Sequence, residues 1–193
     1  MNTLVVGGMG IAAGKEFARD LASLGHNVVG RTDTEHPCRV AYLMGAGPNP
    51  ARSIAQTIEQ AADNLPNGLD YRWVMACNTA HTVYKDVRDA LPGYLADKAF
   101  DFVGNTTTKV KGGLWLGTTV LANSGLVGQY RLPNDHDQEI VQAAIWAAKQ
   151  GQFPFGAEMR RLVNGYTPIA GCTEMPSILR AAGLEHINPV ALI

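Results

Sequence analysis

Along this chain short apolar runs alternate with helical patterns, joined by turns of glycine and other small residues. That alternation points to the α/β class with parallel strands, because parallel neighbours need a crossover, usually a helix, between them. The first instance is LVVGGMGIAAGKEFARDLASLGHNVVGRTD, residues 4–33. Leu4–Val6 reads as a strand, a glycine cluster follows, Gly14–Leu24 carries a helical pattern, and Asn27–Val29 reads as the next strand. Ala51, Ile54, Ala55, Ile58, Ala61, Ala62 and Leu65 then recur at helical spacing. YRWVMACNTAHTVYKDVRDAL reads as a strand, a turn at Cys77–Asn78–Thr79 and a helix. Further strands are expected around Phe100–Val103 and Gly113–Gly117. Asp135–Gly151 is a helix with an acidic first turn, an apolar face and a glycine stop. GYTPIAGCTEMPSILRAAG finally repeats the plan of strand, cysteine turn and helix.

The length of 193 residues allows one large domain or two small ones. A change of composition near PGYLADKAF marks the expected boundary, giving residues 1–98 and 99–185, with the tail 186–193 expected to pack back on the first domain. Sixteen basic residues against seventeen acidic leave a net charge of -1, and the basic residues are scattered singly. Nothing in that pattern asks for nucleic acid or an anionic membrane. No apolar run has the length of a bilayer span, and the amino terminus has no signal-like pattern. Three widely spaced cysteines do not form a secreted disulfide framework, so a reducing, cytoplasmic setting is expected. His26, His36, His81, His136 and His186 show no metal-ligand spacing, and no metal site is expected.

The informative motifs are two distant turns of similar build. VMACNTAH and PIAGCTEM each run from an apolar strand through a small residue into cysteine and a helical start, with a threonine at position 79 or 173. In parallel α/β sheets such turns lie at the carboxyl ends of strands, where ligands bind. Cys77 and Cys172 are therefore expected beside helix N-termini, where backbone N–H groups and the helix dipole favour a thiolate. The same N–H groups, with the hydroxyls of Thr79 and Thr173, suit a substrate carboxylate. Two such thiols fit one reaction class: one removes a proton from a carbon next to a carboxylate and the other returns a proton to the opposite face. A lone cysteine at a strand end is ordinarily a small buried apolar residue, and Cys38 keeps that reading. The glycine cluster with Arg31 supports a different class, an NAD(P)-binding Rossmann oxidoreductase resting on Gly8, Gly10 and Gly14. A third reading is a ligand-binding protein without turnover.

CNTAH at 77–81 together with GCTE at 171–174 resembles the pyridoxal-independent aspartate/glutamate racemase superfamily, and His81 and Glu174 point to its aspartate racemase branch. GGMG at 7–10, HPCRV followed by GPNP, LWLGTTVLANSGLVGQY and IWAAKQG are similar to other parts of that branch. The resemblance implies two Rossmann-like domains with mainly parallel four-stranded sheets, related by a pseudo-twofold axis, with the active site between them. It implies racemisation without a cofactor, an acidic amino acid as substrate, and usually a homodimer. Carried over by position, Cys77 and Cys172 are the acid/base pair. Asn78, Thr79, Thr118 or Thr119 and Thr173 bind the α-carboxylate and amino group. Arg39 holds the side-chain carboxylate, aided by Lys149, while Met9 and Gly10 line the pocket through backbone contacts. His81 and Glu174 stand behind the cysteines. Plainer readings accompany several of these: helix caps for Thr79 and Thr173, a favourable N-terminal charge for Glu174, a surface charge for Arg39 and a helix C-terminal charge for Lys149.

Overall fold

The computed structural model of the protein describes residues 1–7 and 10–193. The chain divides into two compact units, Met1–Phe102 with Ile193, and Val103–Leu192. The division falls a few residues beyond the 98/99 boundary read from composition. The tail also differs from expectation: residues 186–192 belong to the second unit, where Ile187 bridges Ile169 and the Leu192 carbonyl accepts from Asn105 Nδ2 at 2.7 Å.

The first unit runs β1 (Asn2–Gly7), α1 (Ile11–Ser23), β2 (Asn27–Thr32), α2 (Arg39–Leu43), α3 (Ala51–Asp63), β3 (Tyr71–Met75), a 3₁₀ turn (Thr79–Val83), α4 (Tyr84–Ala90) and α5 (Gly93–Ala96). Its strands are parallel in the order β2-β1-β3. Helix α1 forms because Ala13, Phe17 and Leu21 repeat every four residues and bury together, and Gly25 at φ 85 ends it. In α3 the fully buried Ile54 and Ile58 contribute about 1.5–3 kcal/mol each. They join Leu4, Val6, Trp73 and Met75 in one core, and the Trp73 indole N–H is satisfied by the Leu95 carbonyl at 2.7 Å.

The second unit contains most of α6 (Phe102–Lys109), then β4 (Leu114–Gly117), α7 (Thr119–Ala122), α8 (Asp135–Lys149), α9 (Gly156–Leu162), β5 (Pro168–Gly171), α10 (Met175–Ala181) and a closing 3₁₀ turn (Pro189–Leu192). Strands β4 and β5 pair in parallel, and α8, α9 and α10 cover one core with them. Asn134 caps α8 by accepting the Asp137 amide at 2.9 Å.

Among the described residues the sheets hold three and two strands, where four each were expected. Single parallel bridges stand in the remaining rows: Ala99 beside Trp73 of β3, Arg131 beside β4, and Ile187 beside β5. The expected strand at Phe100–Val103 shrinks to that bridge, since Phe102 and Val103 are already the buried first turn of α6. A run of four residues does not distinguish a strand from one helical turn. Each unit nevertheless repeats one plan: an inner strand ending in glycine, a parallel inner partner leading to a cysteine, and an outer row on each side.

Candidate active site

Cys77 follows β3 and Cys172 follows β5, so both lie at the carboxyl ends of inner parallel strands, and both are buried and free. The chain reaches Cys77 through Ala76, whose amide bonds the Val6 carbonyl of β1 at 2.9 Å. The Cys77 carbonyl accepts twice, from the Ala80 amide at 3.1 Å and from His81 Nδ1 at 3.0 Å. Because Nδ1 faces a carbonyl, the neutral ring carries its proton there. The ring stacks on Tyr84 with centroids 5.7 Å apart and meets Phe102 edge-on at 4.4 Å. Burial pushes the His81 pKa down, while Asp101, whose Oδ1 is 3.8 Å from Nε2, opposes that shift. Tyr84 is pushed up to about 12, first by burial and then by Asp101. His81 is thus a neutral imidazole clamping the turn that presents Cys77.

The second turn is wired differently. Cys172 Sγ donates to Glu174 Oε2 at 2.8 Å, and Thr173 Oγ1 donates to the same oxygen at 3.1 Å. Glu174 is buried at the N-cap position of α10, and the Met175 amide bonds the Cys172 carbonyl at 3.0 Å. Glu174 Oε2 thus accepts from both the thiol and the hydroxyl of this turn. The helices behind the two cysteines are short, a five-residue 3₁₀ turn and a seven-residue α10. The specific partners His81 and Glu174 therefore count for more than the helix dipoles expected from sequence.

The small residue before Cys172 has a steric cause. A Cβ on Gly171 would stand 2.2 Å from Trp115 Nε1, and one on Gly117 would stand 2.6 Å from the Gly171 carbonyl oxygen. The fully buried Trp115 indole, stacked on Tyr130 with centroids 5.4 Å apart, fills the space a side chain would need. Only glycine lets β5 end against β4 at this point.

Asn78 and Thr79 are buried beside Cys77, and Asn78 Nδ2 is a buried donor with no hydrogen-bond acceptor among the described residues. Thr118 caps α7 by accepting the Leu121 amide at 3.4 Å. Thr119 is held by α8: its amide meets Gln142 Oε1 at 3.3 Å, and Gln138 Nε2 reaches its hydroxyl at 3.4 Å and the Gly117 carbonyl at 2.9 Å. Gly10 is the N-cap of α1, with φ 152 and ψ 96, a backbone region suited to glycine. Met9 and Gly8 lie outside the described residues. Arg39 opens α2 and is half-buried with its Nε shielded from water, while Cys38 before it is exposed. Lys149 ends α8 in an exposed position, its ammonium 4.8 Å from the Trp146 ring centre. No described contact joins Lys149 to Cys172 or to the Thr119 turn.

Three site-shaping residues were not singled out in the sequence. Gln138 and Gln142 stand four apart on an otherwise apolar-faced helix, a polar pair that could have marked contact with a turn. His36, in the loop with Arg39, is buried with Nδ1 2.9 Å from Ser53 Oγ. Its pKa is lowered by burial, with Asp33 opposing and Arg39 adding to the shift. Among the described residues no group of three or more His, Cys, Asp or Glu gathers as a metal ligand set, and no helix is long and apolar enough to cross a membrane.

No family model matches the sequence. Among solved structures, the chain is similar to the aspartate racemase of Picrophilus torridus, with a TM-score of 0.78 and 23% identity over 98% of this chain and 89% of that one. It is also similar to an aspartate racemase homologue from Pyrococcus horikoshii OT3, with a TM-score of 0.65 and 15% identity over 99% of this chain and 94% of that one. The protein has the fold those two chains share, over nearly its whole length.

Proposed function

We propose that this chain is a member of the aspartate/glutamate racemase superfamily that racemises an acidic amino acid, aspartate first and glutamate next, through its two cysteines and without a cofactor. The observation that carries the reading is the topological match of Cys77 and Cys172. Two buried thiols end the corresponding inner strand of two units built to one plan, in a chain with a racemase fold.

The chemistry follows from the partners of each sulfur. The mechanism needs one thiol on each face of Cα. With its proton shared with the Glu174 carboxylate, Cys172 begins as the acid, and Cys77 begins as the thiolate base. The Cys77 thiolate takes the α-proton, and the C–H electron pair moves into the substrate carboxylate as the Cα centre flattens. Cys172 then gives its proton to the opposite face, and the pair returns to carbon with inverted configuration. The two sulfurs exchange protonation states in each turnover, so the next molecule runs in the reverse sense or waits for proton exchange.

Asn78, Thr79 and Thr119 are assigned as donors to the α-carboxylate, where negative charge develops, and Thr173, whose hydroxyl proton points to Glu174, as an acceptor for the amino group. The vacant Asn78 Nδ2 suits that carboxylate. Arg39 is assigned to the distal carboxylate, Gly10 and Met9 to the pocket wall, and Thr118 to shaping the turn as a cap. The homodimer implied by the family resemblance belongs to the same proposal and is checked by sedimentation.

Enantiopure aspartate in D2O is expected to gain deuterium at Cα while its optical rotation decays. Cys77→Ser and Cys172→Ser should each stop full racemisation, and unaffected turnover in both would overturn the two-thiol mechanism. Glu174→Gln, which keeps the shape but removes the charge, should lower kcat by about 10²-fold. Aspartate binding without exchange at Cα would instead identify a ligand-binding protein.

A further inference from the structure

Arg39, assigned to the distal carboxylate, opens a helix that cannot fix itself. Helix α2 has five residues, none of them buried, with Tyr42 resting half-buried on the first unit's core. Helices shorter than about 12–15 residues are marginal in water without packing to hold them. The Arg39 side chain is nevertheless half-buried, with its Nε shielded from water. Its placement is set from outside α2.

The attachments lie in the segment before the helix. Strand β2 ends at Thr32 beside Gly7, on the carboxyl edge of the sheet from which β3 leads to Cys77. The Asp33 amide bonds the Gly7 carbonyl at 3.5 Å. The Asp33 carboxylate is used twice: Oδ1 accepts the Glu35 amide at 2.9 Å, and Oδ2 accepts the Thr57 hydroxyl at 3.0 Å. The buried His36 meets Ser53 Oγ through Nδ1 at 2.9 Å. Ser53 and Thr57 stand one turn apart on the same face of α3, so they form a two-point seat. The Glu35 amide first, and then the Thr57 hydroxyl, hold Asp33 below the usual carboxylate range, so it stays an acceptor. Burial pushes His36 down, so its ring stays neutral. From His36 only Pro37, with its ring-fixed φ, and the extended Cys38 lead to Arg39. The other end of α2 is tied separately, by Asn49 Nδ2 donating to the Tyr42 hydroxyl oxygen at 3.2 Å and to Asp86 Oδ2 at 2.9 Å.

We propose that Asp33 and His36, seated on Thr57 and Ser53, are positioning residues that set the Arg39 side chain for the distal carboxylate. The task of Arg39 rests on the racemase reading; its placement by the two α3 hydroxyls does not.

The test compares the ¹⁵N-labelled full chain with a Ser53→Ala, Thr57→Val double variant, which removes both hydroxyls. Exchange of the Arg39 Nε–H with water, its NMR signal assigned by its loss in Arg39→Lys, should quicken about tenfold or more in the double variant. Ser53→Ala alone, at a half-buried position, should quicken it less and guards against misfolding of the double variant. Thr57→Ser, which keeps the hydroxyl, should stay within about twofold of the unaltered chain. For L-aspartate the double variant should raise KM about tenfold and leave kcat within about twofold, the pattern of binding lost away from the reacting atoms. Arg39 Nε–H exchange unchanged in the double variant, or a fall in kcat with KM unchanged, would overturn the proposal. Absence of deuterium exchange at Cα in the unaltered chain would instead overturn the racemase reading, and the Arg39 Nε–H comparison decides the positioning without it.

Discussion

At the residue scale the two cysteines are supported by opposite devices. The Cys172 thiol donates to the buried Glu174 side chain at 2.8 Å, while Cys77 sits on a turn clamped by an imidazole that bonds its backbone carbonyl at 3.0 Å. The clamp carries a pH signature. The folded-state pKa of His81 is depressed by burial, so the unfolded chain takes up the proton first as pH falls. Its contribution is intact above the ordinary histidine value of about 6.5 and is lost as pH falls from there through the folded value. His26 and His36 are depressed by burial as well and add to the same slope. The urea midpoint is expected to fall between pH 7.5 and 5.5, and to fall less in His81→Asn, which retains a donor toward the Cys77 carbonyl. An equal fall in both proteins would contradict a buried neutral His81.

At the element scale, what places Cys172 is the close approach of β4 and β5. Gly117 pairs with Gly171, and the Trp115 indole occupies the space where a side chain on either would go. Gly171→Ala would set a Cβ 2.2 Å from a fully buried ring nitrogen, which has no room to retreat. The expected cost is about 1–3 kcal/mol, read as a lowered Tm. Gly30→Ala in the exposed strand β2, where nothing lies within 4 Å, is the control and should change stability by less than about 0.5 kcal/mol. Helix α8 works on the same end of the sheet, with Gln138 bonding the Gly117 carbonyl and Gln142 facing the Thr119 amide. The helix was legible from its apolar spacing. The task of its two glutamines was not, because a polar residue on a helix looks the same in sequence whether it meets water or a neighbouring turn.

At the scale of the whole molecule, each unit repeats an inner strand ending in glycine, a parallel partner leading to a cysteine, and an outer row on either side. The proposed racemisation has a matching symmetry in its ligands, since both enantiomers are substrate and product. In a Cys77→Ser, Cys172→Ser variant, L- and D-aspartate should both raise the Tm. At a hundred times its dissociation constant each should add about 2.7 kcal/mol of stability. Stabilisation by one enantiomer alone would argue for a one-handed binding protein.

Sequence by itself determined the α/β alternation, α1, α3 and α8 to within a few residues, and the pairing of VMACNTAH with PIAGCTEM as corresponding turns. These are local properties: periodicity, turn chemistry and helix stops are written in adjacent residues. Tertiary structure decided that Phe102 and Val103 open a helix, that the tail 186–192 joins the second unit, that Thr118 is a cap, and that Lys149 rests near Trp146. It also supplied the Glu174 side chain to Cys172 and the His81 ring to the Cys77 carbonyl. Burial and the partners a polar atom meets depend on segments distant in the chain, and no local pattern encodes which of them will arrive.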